Sequence, residues 1–508
     1  MGKFSRRVSE VAGWTMASRV LGLARDVLLF ASLGSGPLNS AFILAFTIPN
    51  LFRRLLGEGA LTSSSIPVLA SSLEKDGQEQ AFSLLNAIMV RLGLGLLLLQ
   101  VVAIPLFWGT RLIPGLPERW YLASDLSLIL FPYMFFICLG ALVCGMLNVL
   151  GRFGLAALNQ AWLNIAMISA ILAGLFFVPM SGWQRVVLIS AGVLLGGALQ
   201  LLVPLFGLVQ QGWRPRLGLD SHPELSKVMR LFLPGLLGAA IFQINILVSR
   251  FLAFSLDDTA TGLLYISSRL VELPLGVFAI AITTVVFPEL SRLSSSGSED
   301  GFQKVFTKGL SLIFMITLPA ALGLILLAEP ILGFLFEWGL FESGDVRAAG
   351  PVLMAAACGL PFFAWSTLLT RAWYARQEMR TPVLFAAVNL FLNLFLGLIL
   401  MRIYGAVGLA LSNTLSSLVH CLALQAFLPG RSIKWKGWQT PAILLLGLSA
   451  LSALAVFGQQ LIQELNLPGK LEDSLIIFVL IPLAAGSYFL VLWFLRHPAL
   501  KNLLRKAL

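Results

Sequence analysis

Four arginines lie in or beside the first two strongly apolar runs of the chain, within residues 18–54. Arg19 and Arg25 fall inside the first run, and Arg53 and Arg54 close the second. An arginine at the centre of a membrane helix costs about 2.5–3.5 kcal/mol on the insertion scale. Several of them in one chain predict an anionic ligand or a water-filled cavity. The alternative, in which the side chains reach a lipid head-group layer, fits the second pair better than the first.

The kind of cation indicates the class of ligand. A further arginine, Arg269, opens a later apolar run, and the interior of the runs holds no lysine. Arginine presents a planar fork of donors that suits bidentate capture of phosphate oxygens, so the pattern favours a phosphate or diphosphate ligand. Acidic residues are scarce within the runs, with Asp26, Glu58 and Glu272 as the clear cases. A cavity lined by these residues is therefore expected to be net positive.

Helical spacing predicts which side chains of the first run share a face. Arg19 and Asp26 are seven residues apart and are expected on one face, whereas Arg25 lies about 120° around the helix. Gly22 stands between them, where a local loosening of the helix could turn one side chain toward the others.

Two further clusters follow from three- and four-residue spacings. Asn50, Arg53 and Arg54 are expected on one face of the second run. Glu272 follows Arg269 by three residues, which predicts an intrahelical ion pair. That pair is either purely structural or an orienting device that lets Arg269 reach a ligand.

The elements that must position these residues are membrane helices. Of the 508 residues, 58% are hydrophobic and 12% are charged, and the mean hydropathy is +0.89, far from the balance of a soluble domain. The first run is not expected to be a cleaved signal peptide, because it contains arginines and no small-residue cleavage site follows it. We predict an all-α integral membrane protein with fourteen transmembrane helices. They lie near residues 11–33, 40–60, 81–108, 126–148, 156–179, 186–210, 229–251, 261–287, 308–329, 349–371, 382–402, 405–428, 441–463 and 474–495.

Several function classes are disfavoured. The net charge of +11 sits in short loops between apolar runs, which argues against nucleic acid as a partner. The four cysteines lie in apolar runs, and the three histidines are scattered without ligand spacing, so a metal site is not expected. Because no nucleophile constellation is present either, we expect a transporter rather than an enzyme.

Loop charges predict the orientation. With the N-terminus inside, the inside loops and tails hold more than three times as many lysines and arginines as the outside loops. Both termini are therefore expected to be cytoplasmic.

The runs also divide into two similar halves. Asn148–Asn164 and Gln377–Asn393 each begin with a short basic turn and end on an asparagine. We predict two six-helix lobes, 1–213 and 214–430, which form a V-shaped central cavity as in an alternating-access carrier. Two extra helices within 431–508 stand outside the repeat.

Three sequence blocks resemble a known family. They are SRVLGLARD, AFxxAFxIPNLFRRLxxEGAxxSSxIPVLA and YISSRLVELPLGV. Through them the chain resembles the lipid II flippases (MurJ/MviN) of the multidrug/oligosaccharidyl-lipid/polysaccharide exporter superfamily, over nearly its whole length. The resemblance implies a protein of the bacterial cytoplasmic (inner) membrane that moves undecaprenyl-diphosphate-linked disaccharide pentapeptide from the inner to the outer leaflet. It also implies that the last two helices form a groove for the lipid tail.

The resemblance assigns substrate-binding residues as well. The essential cavity arginines of the family and their polar companions fall on Arg19, Arg25, Asn50, Arg53, Arg269 and Glu272. One position departs from the family pattern, because an aspartate often precedes the AFxxAF block and this chain has Ser40. If that carboxylate gates the cavity elsewhere, gating here is expected to involve other groups. The candidates are Asp26, Ser40, Arg54 and Glu58.

No cofactor is expected. Some relatives are thought to use sodium through carboxylates in the second lobe. This chain has Asn245, Asn389 and Asn393 in the corresponding runs, so a sodium site is not expected.

Alternative functions differ in what they require. A multidrug/cation antiporter of the same superfamily needs carboxylates in its lobes, and they are scarce here. A flippase for another polyprenyl-diphosphate-linked glycan needs the same arginines, so only the sequence motifs distinguish it from a lipid II flippase. A membrane scaffold would not need buried arginines. The expected partners are lipid II and membrane lipids, without nucleic acid, and we expect a monomer.

Overall fold

The computed structural model of the chain describes residues 3–176, 179–216, 218–219, 222–429 and 439–501. Helices are the only regular secondary structure in these ranges. The helices of the first half are α1 (Lys3–Leu33), α2 (Pro37–Phe52), α3 (Leu61–Lys75), α4 (Gln78–Trp108), α5 (Glu118–Leu130), α6 (Tyr133–Val149), α7 (Phe153–Phe176), α8 (Gly182–Val209) and α9 (Leu225–Leu256).

The second half is also helical. Its helices are α10 (Ala260–Pro274), α11 (Ile280–Ser295), α12 (Glu299–Leu326), α13 (Ala328–Phe336), α14 (Ser343–Ala357), α15 (Leu360–Ala375), α16 (Arg380–Phe427), α17 (Gln439–Glu464), α18 (Gly469–Leu475) and α19 (Ile481–Phe494). Within the described ranges, nine helical stretches are long and apolar enough to cross a membrane, or ten if the bent pair α5–α6 is one span. The prediction of an all-helical, multi-pass membrane protein is confirmed at this level.

Several predicted runs are not single straight helices. The run 126–148 is interrupted at Pro132, where α5 and α6 meet at 41°. The run 349–371 is divided between α14 and α15 at Cys358 and Gly359, just before Pro361. Proline lacks the amide hydrogen that continues a helical ladder, which accounts for breaks at these places.

One break falls where the sequence predicts it. Gly405, the first residue of the predicted run 405–428, divides the long helix α16. Its φ of +59° lies in the left-handed region that glycine adopts without a steric penalty. The basic loop expected at 429–440 lies mostly outside the described residues, which omit 430–438.

The chain forms two compact units. The first unit comprises the described residues up to Phe254 together with Trp338–Phe341. In its core, α8 packs closely on α7 through Gly192 and Gly196, which are spaced by one helical turn. A Cβ on Gly196 would lie 2.8 Å from the Cα of Leu163, so only glycine permits this approach.

The second unit comprises the described residues of 255–337 and those from Glu342 onward. One apolar core joins α11, α12, α15 and the end of α16. A second core joins α17 and α19 to α12, where the Tyr488 hydroxyl donates to the Met315 carbonyl oxygen at 2.9 Å. The last two long helices are therefore packed onto this unit.

Candidate functional site

Arg25 on α1 is buried in a polar network. Its Nε and Nη2 atoms donate to Oδ1 of Asp26 at 3.1 and 2.7 Å. Its Nη1 donates to Oδ1 of Asn164 at 3.0 Å. Arg25 is only 6% exposed and Asp26 only 2%. The pair is therefore a desolvated ion pair, which is stable only while both partners keep their hydrogen bonds.

Asn164 fixes this network from another helix. It lies on α7, and its Nδ2 donates to the Ser18 carbonyl oxygen at 3.1 Å while its Oδ1 accepts from Arg25. A Cβ on Gly22 would lie 3.8 Å from Nδ2, an ordinary van der Waals contact, so the position of the amide does not require glycine there. The sequence interpretation noted Asn164 only as the end of a repeat. An amide in the middle of an apolar helix is the signal that could have marked it as a buried hydrogen-bonding group.

Arg19 lies in a different environment. It is exposed, whereas Asp26, expected on the same face of α1, is buried and takes Arg25 as its partner. The seven-residue spacing therefore does not predict the partner of Asp26. The packing of α1 against α7 decides the partner. Arg25 and Asp26 are buried together there, and Arg25 donates to both Asp26 and Asn164.

Arg53 and Asn50 are brought together as their spacing predicts. Nε of Arg53 donates to Oδ1 of Asn50 at 2.9 Å, and both side chains are half-buried. Arg54 is also half-buried. Glu58 belongs to the same helical segment, and its side chain lies outside the described part of the structure. The amide oxygen thus orients the Arg53 guanidinium without neutralising it.

Arg269 on α10 forms the predicted ion pair with Glu272. Nη1 donates to Oε2 at 3.1 Å, and the side chains are 28% and 48% exposed. Tyr265, one turn earlier, adds a contact that the sequence interpretation missed. Its hydroxyl accepts from Nη2 at 2.9 Å, and its ring centroid is 4.9 Å from the guanidinium carbon. The four-residue spacing between Tyr265 and Arg269 could have indicated this pairing.

Both orienting pairs sit beside a widened helical turn. The Asn50–Arg53 pair follows Pro49 and enters a π-helical segment over Arg53–Ala60. The Arg269–Glu272 pair precedes Pro274 and a π-helical turn over Leu275–Ala279. Such turns arise where the regular hydrogen-bond ladder is interrupted, and they are frequent at functional sites. The two segments share this local design.

Ser40, the position of the departure from the family pattern, is fully buried in α2. Its environment is the packed interior of the first unit, where neighbouring Asn39 is also fully buried. In the second unit, Asn393 accepts a hydrogen bond from the Ser412 hydroxyl at 3.0 Å. The described residues contain no group of three or more His, Cys, Asp or Glu side chains that could hold a metal ion.

The candidate residues are divided between the two units. The first unit holds the buried pair Arg25–Asp26, the pair Asn50–Arg53 and the exposed Arg19. The second unit holds Arg269, Glu272 and Tyr265. Inside each unit the structure joins Arg25, Arg53 and Arg269 to neutral or acidic partners that set their direction. Oriented arginines in apolar helices are the arrangement expected of an anion-binding membrane carrier.

The fold is that of a known class of multi-pass transporters. A solved multidrug-resistance MATE transporter of the MOP superfamily, in an inward-facing conformation, matches with a TM-score of 0.67 and 16% sequence identity. That match covers 82% of this chain and 94% of the MATE chain, and at this identity it shows the fold alone.

Closer matches define the family. The family model described as lipid II flippase MurJ matches residues 30–471, so the chain belongs to the MurJ family. A probable lipid II flippase MurJ of Bdellovibrio bacteriovorus is 34% identical over 492 residues, which is 94% of this chain and 92% of the relative. A solved lipid II flippase MurJ in an inward closed conformation matches with a TM-score of 0.77 and 25% identity, over 97% of this chain and 99% of that chain.

Proposed function

We propose that this chain is a lipid II flippase. It moves undecaprenyl-diphosphate-linked disaccharide pentapeptide from the inner to the outer leaflet of the bacterial cytoplasmic membrane. The observation that carries the proposal is a set of arginines held in defined directions inside apolar helices, in a chain that belongs to the MurJ family. Transport of this kind forms and breaks no covalent bond, so it needs neither a catalytic residue nor a cofactor.

The ligand chemistry follows from the arginines. We propose that Arg19, Arg25, Arg53 and Arg269 together recognise the diphosphate, with Asn50 and Glu272 as orienting companions. A diphosphate offers several anionic oxygens, and each charge-assisted hydrogen bond to a guanidinium is about twice as strong as a neutral one. Such bonds offset the cost of placing arginines in membrane helices only while the ligand is bound. Ligand binding therefore favours the conformation in which more of these bonds form, and alternating access requires a ligand-dependent shift of this kind.

The membrane arrangement belongs to the same proposal. We infer fourteen spans in a six, six and two order, with both termini cytoplasmic. Supporting this order, helices occupy the predicted runs, and the one long helix that must supply two spans is divided at Gly405. The final pair, α17 and α19, packs on α12 and is suited to form a groove for the polyprenyl tail.

Complementation tests the function. In cells depleted of their native lipid II flippase, expression of this chain should restore growth and normal cell shape. Cells that lack instead a flippase for another polyprenyl-diphosphate glycan, such as an O-antigen unit, should not be rescued. Rescue of the second strain alone would show that the substrate is that glycan and not lipid II.

Cysteine labelling tests the orientation. Single cysteines at exposed Lys75 and Arg214 should resist a membrane-impermeant reagent in intact cells, because both positions are predicted to face the cytoplasm. Cysteines at exposed Arg111 and Arg347 should react. The exposed native thiol of Cys358 must first be replaced by serine. Labelling of position 75 from outside would overturn the proposed topology.

A further inference from the structure

Tyr265 and Glu272 contact Arg269 from opposite directions along its helix. Tyr265 lies one turn before it and receives a hydrogen bond from Nη2 at 2.9 Å, while Glu272 lies nearly one turn after it and receives one from Nη1 at 3.1 Å. The tyrosine ring also faces the guanidinium, with 4.9 Å between its centroid and the guanidinium carbon. Tyr265 therefore constrains both the position of the Nη2 atom and the plane of the guanidinium.

The exposure of Glu272 and Tyr265 shows which of these two side chains sets the direction of the Arg269 guanidinium. The Glu272 side chain is 48% exposed, so water screens its attraction for Arg269 and the exposed ion pair contributes little. Tyr265 is only 9% exposed, which fixes its ring and strengthens both of its contacts with the cation. Tyr265 is also neutral, so it orients the guanidinium without cancelling the charge that an anion needs.

We propose that Tyr265 is a positioning residue that presets the Arg269 guanidinium for the diphosphate of a polyprenyl-linked substrate, an inference that rests on the function proposed above. An arginine side chain has many rotamers, and holding it in one of them before binding removes an entropy loss that binding would otherwise incur. Removal of the hydroxyl should therefore weaken diphosphate binding, although the Arg269 residue itself is unchanged.

The test compares two tyrosine-to-phenylalanine variants of the full-length protein in detergent, with undecaprenyl diphosphate as the probe. Tyr265→Phe should weaken binding by up to about tenfold, because binding must then immobilise an Arg269 side chain that the hydroxyl no longer holds. Its melting temperature without the probe should stay at the wild-type value. Tyr133→Phe is the matched control, because the buried Tyr133 hydroxyl donates to Oε1 of Gln200 within the first unit. It should lower the melting temperature and leave the affinity unchanged.

A double-mutant cycle shows whether Tyr265 acts through Arg269. In an Arg269→Ala background, the Tyr265→Phe change should have no further effect on affinity, because the side chain that it positions is gone. A further loss there would mean that Tyr265 contacts the ligand itself, which overturns the positioning role. Wild-type affinity in Tyr265→Phe alone also overturns the inference and leaves the proposed function intact. Failure of the wild-type protein to bind the probe would overturn the proposed function, and the inference with it.

Discussion

Alanine in place of Arg19, Arg53 or Arg269 is expected to abolish rescue of cells depleted of their lipid II flippase, while each variant reaches normal abundance in the membrane. The loss of transport follows from the ligand chemistry, since each arginine supplies charge-assisted hydrogen bonds worth about 1.5–3 kcal/mol. Even the lower value reduces the affinity for the diphosphate more than tenfold for each arginine that is replaced.

Normal abundance follows from exposure. Arg19 is exposed, Arg53 is half-buried and the Arg269 side chain is 28% exposed, so none of the three is a deeply buried charge like Arg25. A neutral amide is one partner of Arg53, and the carboxylate of Glu272 is 48% exposed and can be hydrated. The cost to folding should therefore stay within about 1 kcal/mol.

Lysine variants separate charge from geometry. Lysine keeps the positive charge but lacks the planar fork, so it should rescue poorly at the same three positions. The control is Arg111→Ala, an exposed arginine paired with Asp125 in the first unit and outside the proposed site. It should complement like the wild type. Full rescue by all three alanine variants, measured as growth with immunoblots of the membrane fraction, would overturn the proposal that Arg19, Arg25, Arg53 and Arg269 bind the diphosphate together as a clamp.

Local spacing predicted two of the orienting pairs correctly. Asn50 with Arg53 and Arg269 with Glu272 are three residues apart on single helices, so helical geometry alone brings each pair together. The partner of Asp26 could not be predicted in this way. Its environment depends on Asn164 from a helix far along the chain. It therefore depends on tertiary packing, which the spacing of residues along one helix cannot predict.

Breaks in the helices were predictable only in part. Gly405 adopts a left-handed conformation where the sequence places the start of a run. Prolines gave a weaker signal, because Pro105, Pro204 and Pro319 lie inside unbroken helices while Pro132 ends one. Whether a proline breaks a helix depends on whether neighbouring groups satisfy the freed backbone carbonyl, and the sequence does not show those neighbours.

Arg25→Ala is expected to act differently from the other arginine variants, because it should lower both transport and the amount of folded protein. Arg25 is 6% exposed and gives two hydrogen bonds to Asp26, which is 2% exposed. Its removal takes the guanidinium away from a buried carboxylate, and breaking a buried pair in this way costs about 3–5 kcal/mol. That loss is a large share of the stability of a folded protein, so membrane abundance and melting temperature should both fall.

The control for this variant is an exposed ion pair. Arg292 is paired with Glu289 through side chains that are 70% and 44% exposed, so Arg292→Ala should change the melting temperature little. Wild-type abundance and melting temperature in Arg25→Ala would contradict the description of Arg25–Asp26 as a structural pair.

A compensating change then separates the structural role of Arg25 from its proposed role in binding. Asp26→Asn removes the buried charge that Arg25→Ala leaves behind, so the double variant should recover most of the lost abundance. If Arg25 also binds the diphosphate, the recovered protein should still fail to rescue flippase-depleted cells. Recovery of both abundance and rescue would instead reduce the clamp to Arg19, Arg53 and Arg269, and would assign Arg25 to holding α1 against α7 through Asn164.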